Sequence, residues 1–251
     1  MKIDASDSLD IFVDSWACWQ PRIGKPARYA SCRGGHYEKA DIDEPALKDV
    51  PAMQRRRLSP LARVAFHVLG QCADMSKEEP VVFSSVMGEI QRTQRILETI
   101  ATDQPVSPAA FSLSVHNSIS GQWSVIHGIK APMIALSPPD GSAVAALLEA
   151  IGILLESTYR AVNVVFYEED YPEFYSPFLT GPIAAGALAL RLVAPELAGN
   201  RTRRWKLQAS ENTHSGAEPG GALQLAPLLF GALKALEIAE PQSTWRLECC
   251  N

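Results

Sequence analysis

The sequence predicts an α/β layered fold, and three observations carry that prediction. Short runs of β-branched and aromatic residues recur along the chain. Segments with helical apolar spacing alternate with them. The composition, 47% hydrophobic and 20% charged over 251 residues, is enough to bury a continuous core without disulfide or metal staples.

The elements follow in order. Residues 9–17, LDIFVDSWA, read as a buried strand. Residues 20–58 hold four prolines, three glycines and many charges, and are expected to form a long irregular surface connection. Ser59-Pro60 is an N-cap followed by proline in the first helical turn, and Leu61, Val64, Ala65, Val68 and Leu69 continue a helix to about Asp74. PVVFSSV, 80–86, is a second strand. The spacing over 88–102 predicts an amphipathic helix with Ile90, Ile96, Leu97 and Ile100 inward and Gln91, Arg92, Gln94 and Arg95 outward.

A helix is expected over 117–127, then the apolar strand APMIALS, 131–137. PPDG turns the chain into helix 141–158, apolar on nearly every side and so expected to be buried on nearly every side. Strands follow at 161–169, 182–193 and RRWKLQAS, then a glycine-rich loop at 211–221. ALQLAPLLFGALKALE reads as a helix with an internal proline, and STWRLECC as the last strand. This alternation predicts a largely parallel sheet.

Charge and cysteine usage narrow the function. Twenty-eight acidic against 23 basic residues give a net charge of −5, where a nucleic-acid binder would need a basic footprint. The start, MKIDASDSLD, is acidic and lacks the apolar core of a signal peptide. The apolar stretches 143–155 and 181–198 are interrupted by Glu149 and Arg191, and both are too short to span a bilayer. An odd cysteine count with no CxxC suits a reducing compartment, so a cytoplasmic protein with reduced thiols is expected.

No catalytic set emerges from the residues alone. There is no G-x-S-x-G elbow, and Ser137 is followed directly by proline. Asp140 sits at the tip of a strand-turn-helix elbow beside Gly141, where capping the helix outranks a nucleophilic role. His36, His67, His116, His127 and His214 show no zinc spacing, and Cys32 with His36 is a coincidence of a loop. The glycine pairs at 34–35 and 220–221 are not phosphate-cradling loops. His116-Asn117 reads as a helix start, Arg55–Arg57 as a solvated face, and Cys249-Cys250 as packing residues. Neither a metal nor a cofactor is called for.

Segment 107–150 resembles the active-cysteine region of the β-ketoacyl synthases of the thiolase superfamily. Asn117, Gly121 and Ser124 stand where that family has an asparagine followed by a helix with a glycine and a serine. Gly128 and Pro132 match its turns before the elbow strand, with Ala131 in place of the usual glycine. Ser137-Pro138-Pro139-Asp140-Gly141 then runs in register with the elbow, so Asp140 falls on the position of the nucleophilic cysteine. FSSVMGE, 83–89, and RRRLSPLARVAFHVL match a strand-into-helix turn and the first long helix.

The resemblance implies a thiolase-like layered fold. Residues 1–200 make a complete ketosynthase-like first half, and 201–251 a strand-helix-strand remnant of a shrunken second half. With the cysteine replaced and His214 matching neither histidine motif, it also implies a non-catalytic subunit. The short form is similar to the chain-length-factor-like subunits of aryl polyene and dialkylresorcinol pathways. Such a subunit pairs with a catalytic β-ketoacyl synthase that extends chains held on an acyl carrier protein. On this resemblance Val86, Met87, Gln91, Gln94 and Phe111 close the acyl tunnel, and Asn117, Gly121, Ala131, Met133, Ile134 and Leu136 meet the partner. The alternatives are a stand-alone hydrolase or acyltransferase using Asp140, His116 or a serine, and a degenerate decarboxylase, which would need the missing histidines.

Overall fold

The computed structural model describes residues 8–138, 141–178, 184–210, 221–240 and 243–250. Among them, ten strands form one sheet: β1 (Ser8–Arg22), β2 (Lys25–Arg33), β3 (His36–Ile42), β4 (Val81–Ser84), β5 (Met133–Leu136), β6 (Ala161–Glu168), β7 (Gly186–Val193), β8 (Arg203–Ser210), β9 (Ala235–Glu240) and β10 (Ser243–Cys250). The helices are α1 (Ala52–Arg55), α2 (Pro60–Cys72), α3 (Ile90–Ala101), α4 (Pro108–Ser112), α5 (Ser118–His127), α6 (Ala143–Glu156) and α7 (Ala226–Leu229). The strand order is β5-β4-β6-β7-β1-β8-β10-β9, with β2 and β3 branching from β1.

The α/β layering is as expected, but the largely parallel sheet is not. Among the described strands only β4 pairs in parallel, with β5 and β6; the other pairings are antiparallel. The parallel set is the one whose strands are linked by α3–α5 and by α6, as a parallel pair requires a crossover. β1 is long enough to serve several neighbours. Its first half pairs with β8 and its second half with β2 along one edge, while β7 runs along the other.

Two apolar layers sandwich the sheet. On one face α2 packs Leu61, Val64, Phe66 and Leu69 against Phe83, Val165 and Ala189, with Trp123 of α5 alongside. On the other, Val144, Leu147 and Ile151 of α6 meet Val82, Val164 and Leu190. Alternate residues of β4 therefore serve opposite layers, which is why its four residues are all buried. Toward β9 the described residues cover the sheet on one side only. Trp205, Leu207, Trp245 and Leu247 join the α6 layer beneath Leu225, Leu228 and Leu229. The reverse side carries charged rungs, Arg204 to Asp10 at 2.7 Å and Arg246 to Glu237 at 3.1 Å.

Four expectations fail locally. The stretch expected to be irregular holds the β2–β3 hairpin, closed by Gly34 and Gly35 at φ +57° and +79°, a conformation that suits a two-residue hairpin turn. Its side chains are mostly exposed on β3, so no apolar alternation marks it. α6 is buried on one side only, and Leu155 is 75% exposed. In α3 Ile90 and Ile96 are buried as expected, but Leu97 and Ile100 face outward. The helix expected over 222–237 stops at Leu229, and residues 235–240 become β9 because Leu236 and Ile238 recur with the strand period and pair along β10.

Candidate functional site

The elbow forms where β5 leaves the sheet and α6 begins. Ser142 caps α6, its Oγ accepting from the Val144 amide at 3.1 Å. Asp140 and Pro139 lie outside the described residues, as do His214 and Gly220. Beside the elbow, Ser84, Gly141, Phe166, Gly186, Ala222 and Leu223 enclose a cavity of about 10 Å³. That is about the room one water needs. Gly186 is what allows the walls to close. Its φ is +144°, and a Cβ there would stand 2.6 Å from Leu223 Cδ1 and 2.8 Å from the Trp19 carbonyl.

The turn between β4 and α3 is the most heavily tied segment nearby. Glu168, the last residue of β6, accepts from the Val86 amide at 2.6 Å and the Ser85 hydroxyl at 3.2 Å. It also accepts from the Tyr171 hydroxyl at 2.9 Å. Ser85 Oγ accepts from the Gly88 amide at 2.8 Å, and Ser137 donates to the Val86 carbonyl at 2.6 Å. His116 Nε2 lies 2.8 Å from the Ser85 carbonyl. Glu169 accepts from the Gln91 amide at 2.9 Å at the start of α3. Burial pushes the Glu168 carboxyl up to about 7, against its three donors, and burial together with Glu89 does the same for Glu169.

The residues expected to close a tunnel meet only partly. Val86 and Met87 are half-buried in the turn, and α3 starts at Ile90, so Met87 lies before the helix rather than on it. Gln91 is exposed and donates to the Asp170 carbonyl at 2.7 Å; Gln94 donates to Glu98 at 2.7 Å. Phe111, on α4, is 58% exposed. The hollow between α3 and α4, about 410 Å³, is lined instead by Arg92, Arg95, Ile96 and Pro105.

The residues expected at a partner surface share one side of the molecule. β5 is an edge strand with its four residues half-buried, Met133, Ile134 and Leu136 among them, and α5 packs against it. Ala131 is buried just before it. Asn117, the residue before α5, and Gly121 of α5 line a hollow of about 710 Å³ with Leu113, Val115, Val125 and Ile126. Val125, which borders this hollow, is 76% exposed among the described residues.

The other candidates are structural. Burial pushes the thiols of Cys18 and Cys72 up to about 12, far from a thiolate nucleophile. His67 and His127 are lowered by desolvation, and His127 packs on Trp123 with ring centroids 4.0 Å apart. Arg55 donates to the Leu47 carbonyl at 2.9 Å, and Arg57 borders the α5 hollow. Among the described residues no group of three His, Cys, Asp or Glu could hold a metal, and no helix is long and apolar enough to cross a membrane. Sequence reasoning passed over Glu168. The signal was an acidic pair directly after the apolar strand AVNVVFY, where a carboxylate meets neighbouring strand ends.

The family model of the beta-ketoacyl synthase N-terminal domain matches residues 29–248. The chain belongs to that family, and its mixed sheet between helical layers is the thiolase-like ketosynthase fold. No curated protein sequence matches it significantly. Among solved structures it is similar to a chain of the ketosynthase ApeO in complex with its chain length factor ApeC from Xenorhabdus doucetiae. The TM-score is 0.68 at 22% identity, over 96% of this chain and 99% of that one. A beta-ketoacyl synthase from Burkholderia phymatum follows at TM-score 0.56 and 12% identity, over 83% of this chain and 66% of that one. A type II polyketide acyl-carrier protein in complex with its ketosynthase matches at 0.52 and 14%, over 62% and 52%.

Proposed function

We propose that this chain is a non-catalytic chain-length-factor subunit that pairs with a catalytic β-ketoacyl synthase and shapes its acyl tunnel. The observation that carries the reading is the elbow. In the sequence an aspartate, Asp140, stands where the family resemblance puts the reactive cysteine. A carboxylate in place of a thiolate cannot make the family's acyl-thioester intermediate. Length supports the reading too, since the match to a chain of the ketosynthase–chain length factor complex runs almost end to end on both sides.

On this reading β5 and α5 form the partner surface through Asn117, Gly121, Met133, Ile134 and Leu136. The Val86–Met87 turn, Gln91, Gln94 and Phe111 face the far end of the partner's tunnel. Residues 201–251 are the remnant of the family's second half, and the complex acts in the cytoplasm on chains carried by an acyl carrier protein, with polyenes as the product class. The test is co-expression with a complete β-ketoacyl synthase and an acyl carrier protein. A stable complex that extends acyl chains is expected, with Asp140→Asn extending them as well as the parent. Hydrolysis or transfer of an acyl thioester by the chain alone, lost in Asp140→Asn, overturns the reading.

A further inference from the structure

We propose that Glu168 is the positioning residue of the Val86–Met87 turn, and that by fixing this turn it fixes the chain length the turn allows. The second half of the inference rests on the chain-length reading above; the first rests on geometry alone.

Three donors from two separate segments converge on this one carboxylate. The Val86 amide and the Ser85 hydroxyl come from the turn itself, at 2.6 and 3.2 Å. The Tyr171 hydroxyl comes from the segment after β6, at 2.9 Å. Ser85 passes the restraint on, since its Oγ takes the Gly88 amide at 2.8 Å. The turn is neither helix nor strand, so its backbone amides depend on such partners. The neighbouring carboxylates are committed elsewhere. Glu169 holds the Gln91 amide and Glu89 is bonded to Ser59 and Arg92. Among the described residues Glu168 is therefore the acceptor for the Val86 amide, and Met87 is the next residue along.

A wall residue measures length only if its backbone stays put, because a loose wall gives way to a longer chain. Removing the acceptor leaves the turn's donors without their partner, so loss of this side chain should free the turn measurably. Glu168→Gln keeps the size and one acceptor oxygen for Val86, whereas Glu168→Ala keeps neither.

The experiment follows two readouts in the full chain co-purified with a catalytic β-ketoacyl synthase: hydrogen exchange at the Val86 amide, and product lengths by mass spectrometry. In Glu168→Ala, exchange at Val86 should rise about tenfold or more. The products should lengthen by at least one extension unit or spread over more lengths, while Glu168→Gln stays close to the parent. Met87→Trp serves as the control for the underlying reading. If Met87→Trp shortens the products but Glu168→Ala leaves the lengths fixed, the role of Glu168 is overturned and the chain-length reading stands. If Met87→Trp leaves the lengths fixed, the chain-length reading falls, and the length-setting role falls with it. Unchanged Val86 exchange in Glu168→Ala overturns the positioning role itself. Should Glu168→Ala not fold, Glu168→Asp withdraws the carboxylate from the Val86 amide by one methylene; equal exchange and equal lengths in that variant overturn the proposal.

Discussion

Arg191 grips Glu79 with two hydrogen bonds, Nε to Oε2 at 2.9 Å and Nη2 to Oε1 at 2.6 Å, and both side chains are buried. The third guanidinium nitrogen reaches Asp14 at 2.7 Å, and Asn163 donates to Glu79 at 3.1 Å. Asp14 is the residue left over in the register of β1 against β7. The four groups come from β1, β7, β6 and the residues entering β4, which are consecutive in the sheet. One polar knot thus pins the register of the sheet's centre.

Removing one partner strands the other in an apolar layer. Arg191→Ala should lower unfolding free energy by about 3–5 kcal/mol, since the loss leaves an uncompensated buried charge. The double variant Glu79→Leu/Arg191→Leu should recover much of that. Urea denaturation of the three proteins checks it, and a double variant as weak as the single one contradicts the argument.

Stability should fall as pH rises from about 4.5 to 7. Glu168 and Glu169 are pushed up from their ordinary 4.5 to about 7, so over that window the folded chain holds protons that the unfolded chain has released. The contribution is complete below about pH 4.5 and is lost above 7. For Glu168 it is on the order of 3 kcal/mol at most, and less for the more open Glu169. Denaturation midpoints at pH 5, 6, 7 and 8 measure the slope, and Glu168→Gln should flatten it.

Ile134 lies on the open edge of the sheet, half-buried against the α6 layer. Ile134→Lys should leave the chain folded, with a modest drop in melting temperature, but abolish co-purification of the synthase. A complex that survives the change would place the partner elsewhere.

Met87 is half-buried in the turn that Glu168 holds. A packed wall tolerates little added volume. Met87→Trp should shorten the products, and Met87→Ala or Gln91→Ala should lengthen or spread them. Total activity that falls at a fixed length distribution in all three variants would assign this turn to stability alone.

Much of the frame is legible in the residues. Ser59-Pro60 announces α2, and the Ser59 hydroxyl does accept the Ala62 amide at 2.9 Å. The buried strands β4, β6 and β7 are continuous apolar runs, and the elbow strand ends where Ser137-Pro138 says it should. The β2–β3 hairpin was also written there, as two glycines between two strand-length segments, but its charged, exposed β3 hides the strand period. Strand direction was not legible, because apolar runs look alike in either direction. The site was half legible. The elbow and the edge strand follow from local pattern, whereas Glu168 matters through partners 82 and 83 residues away, which no local spacing records.

The uncovered β5 edge bears on how much of this chain a cell can carry. An apolar strand with an open row of amides and carbonyls is a template for pairing with its own kind. If the proposed partner closes that edge, synthesis in step with the partner limits self-pairing, and surplus chain is the part exposed to it.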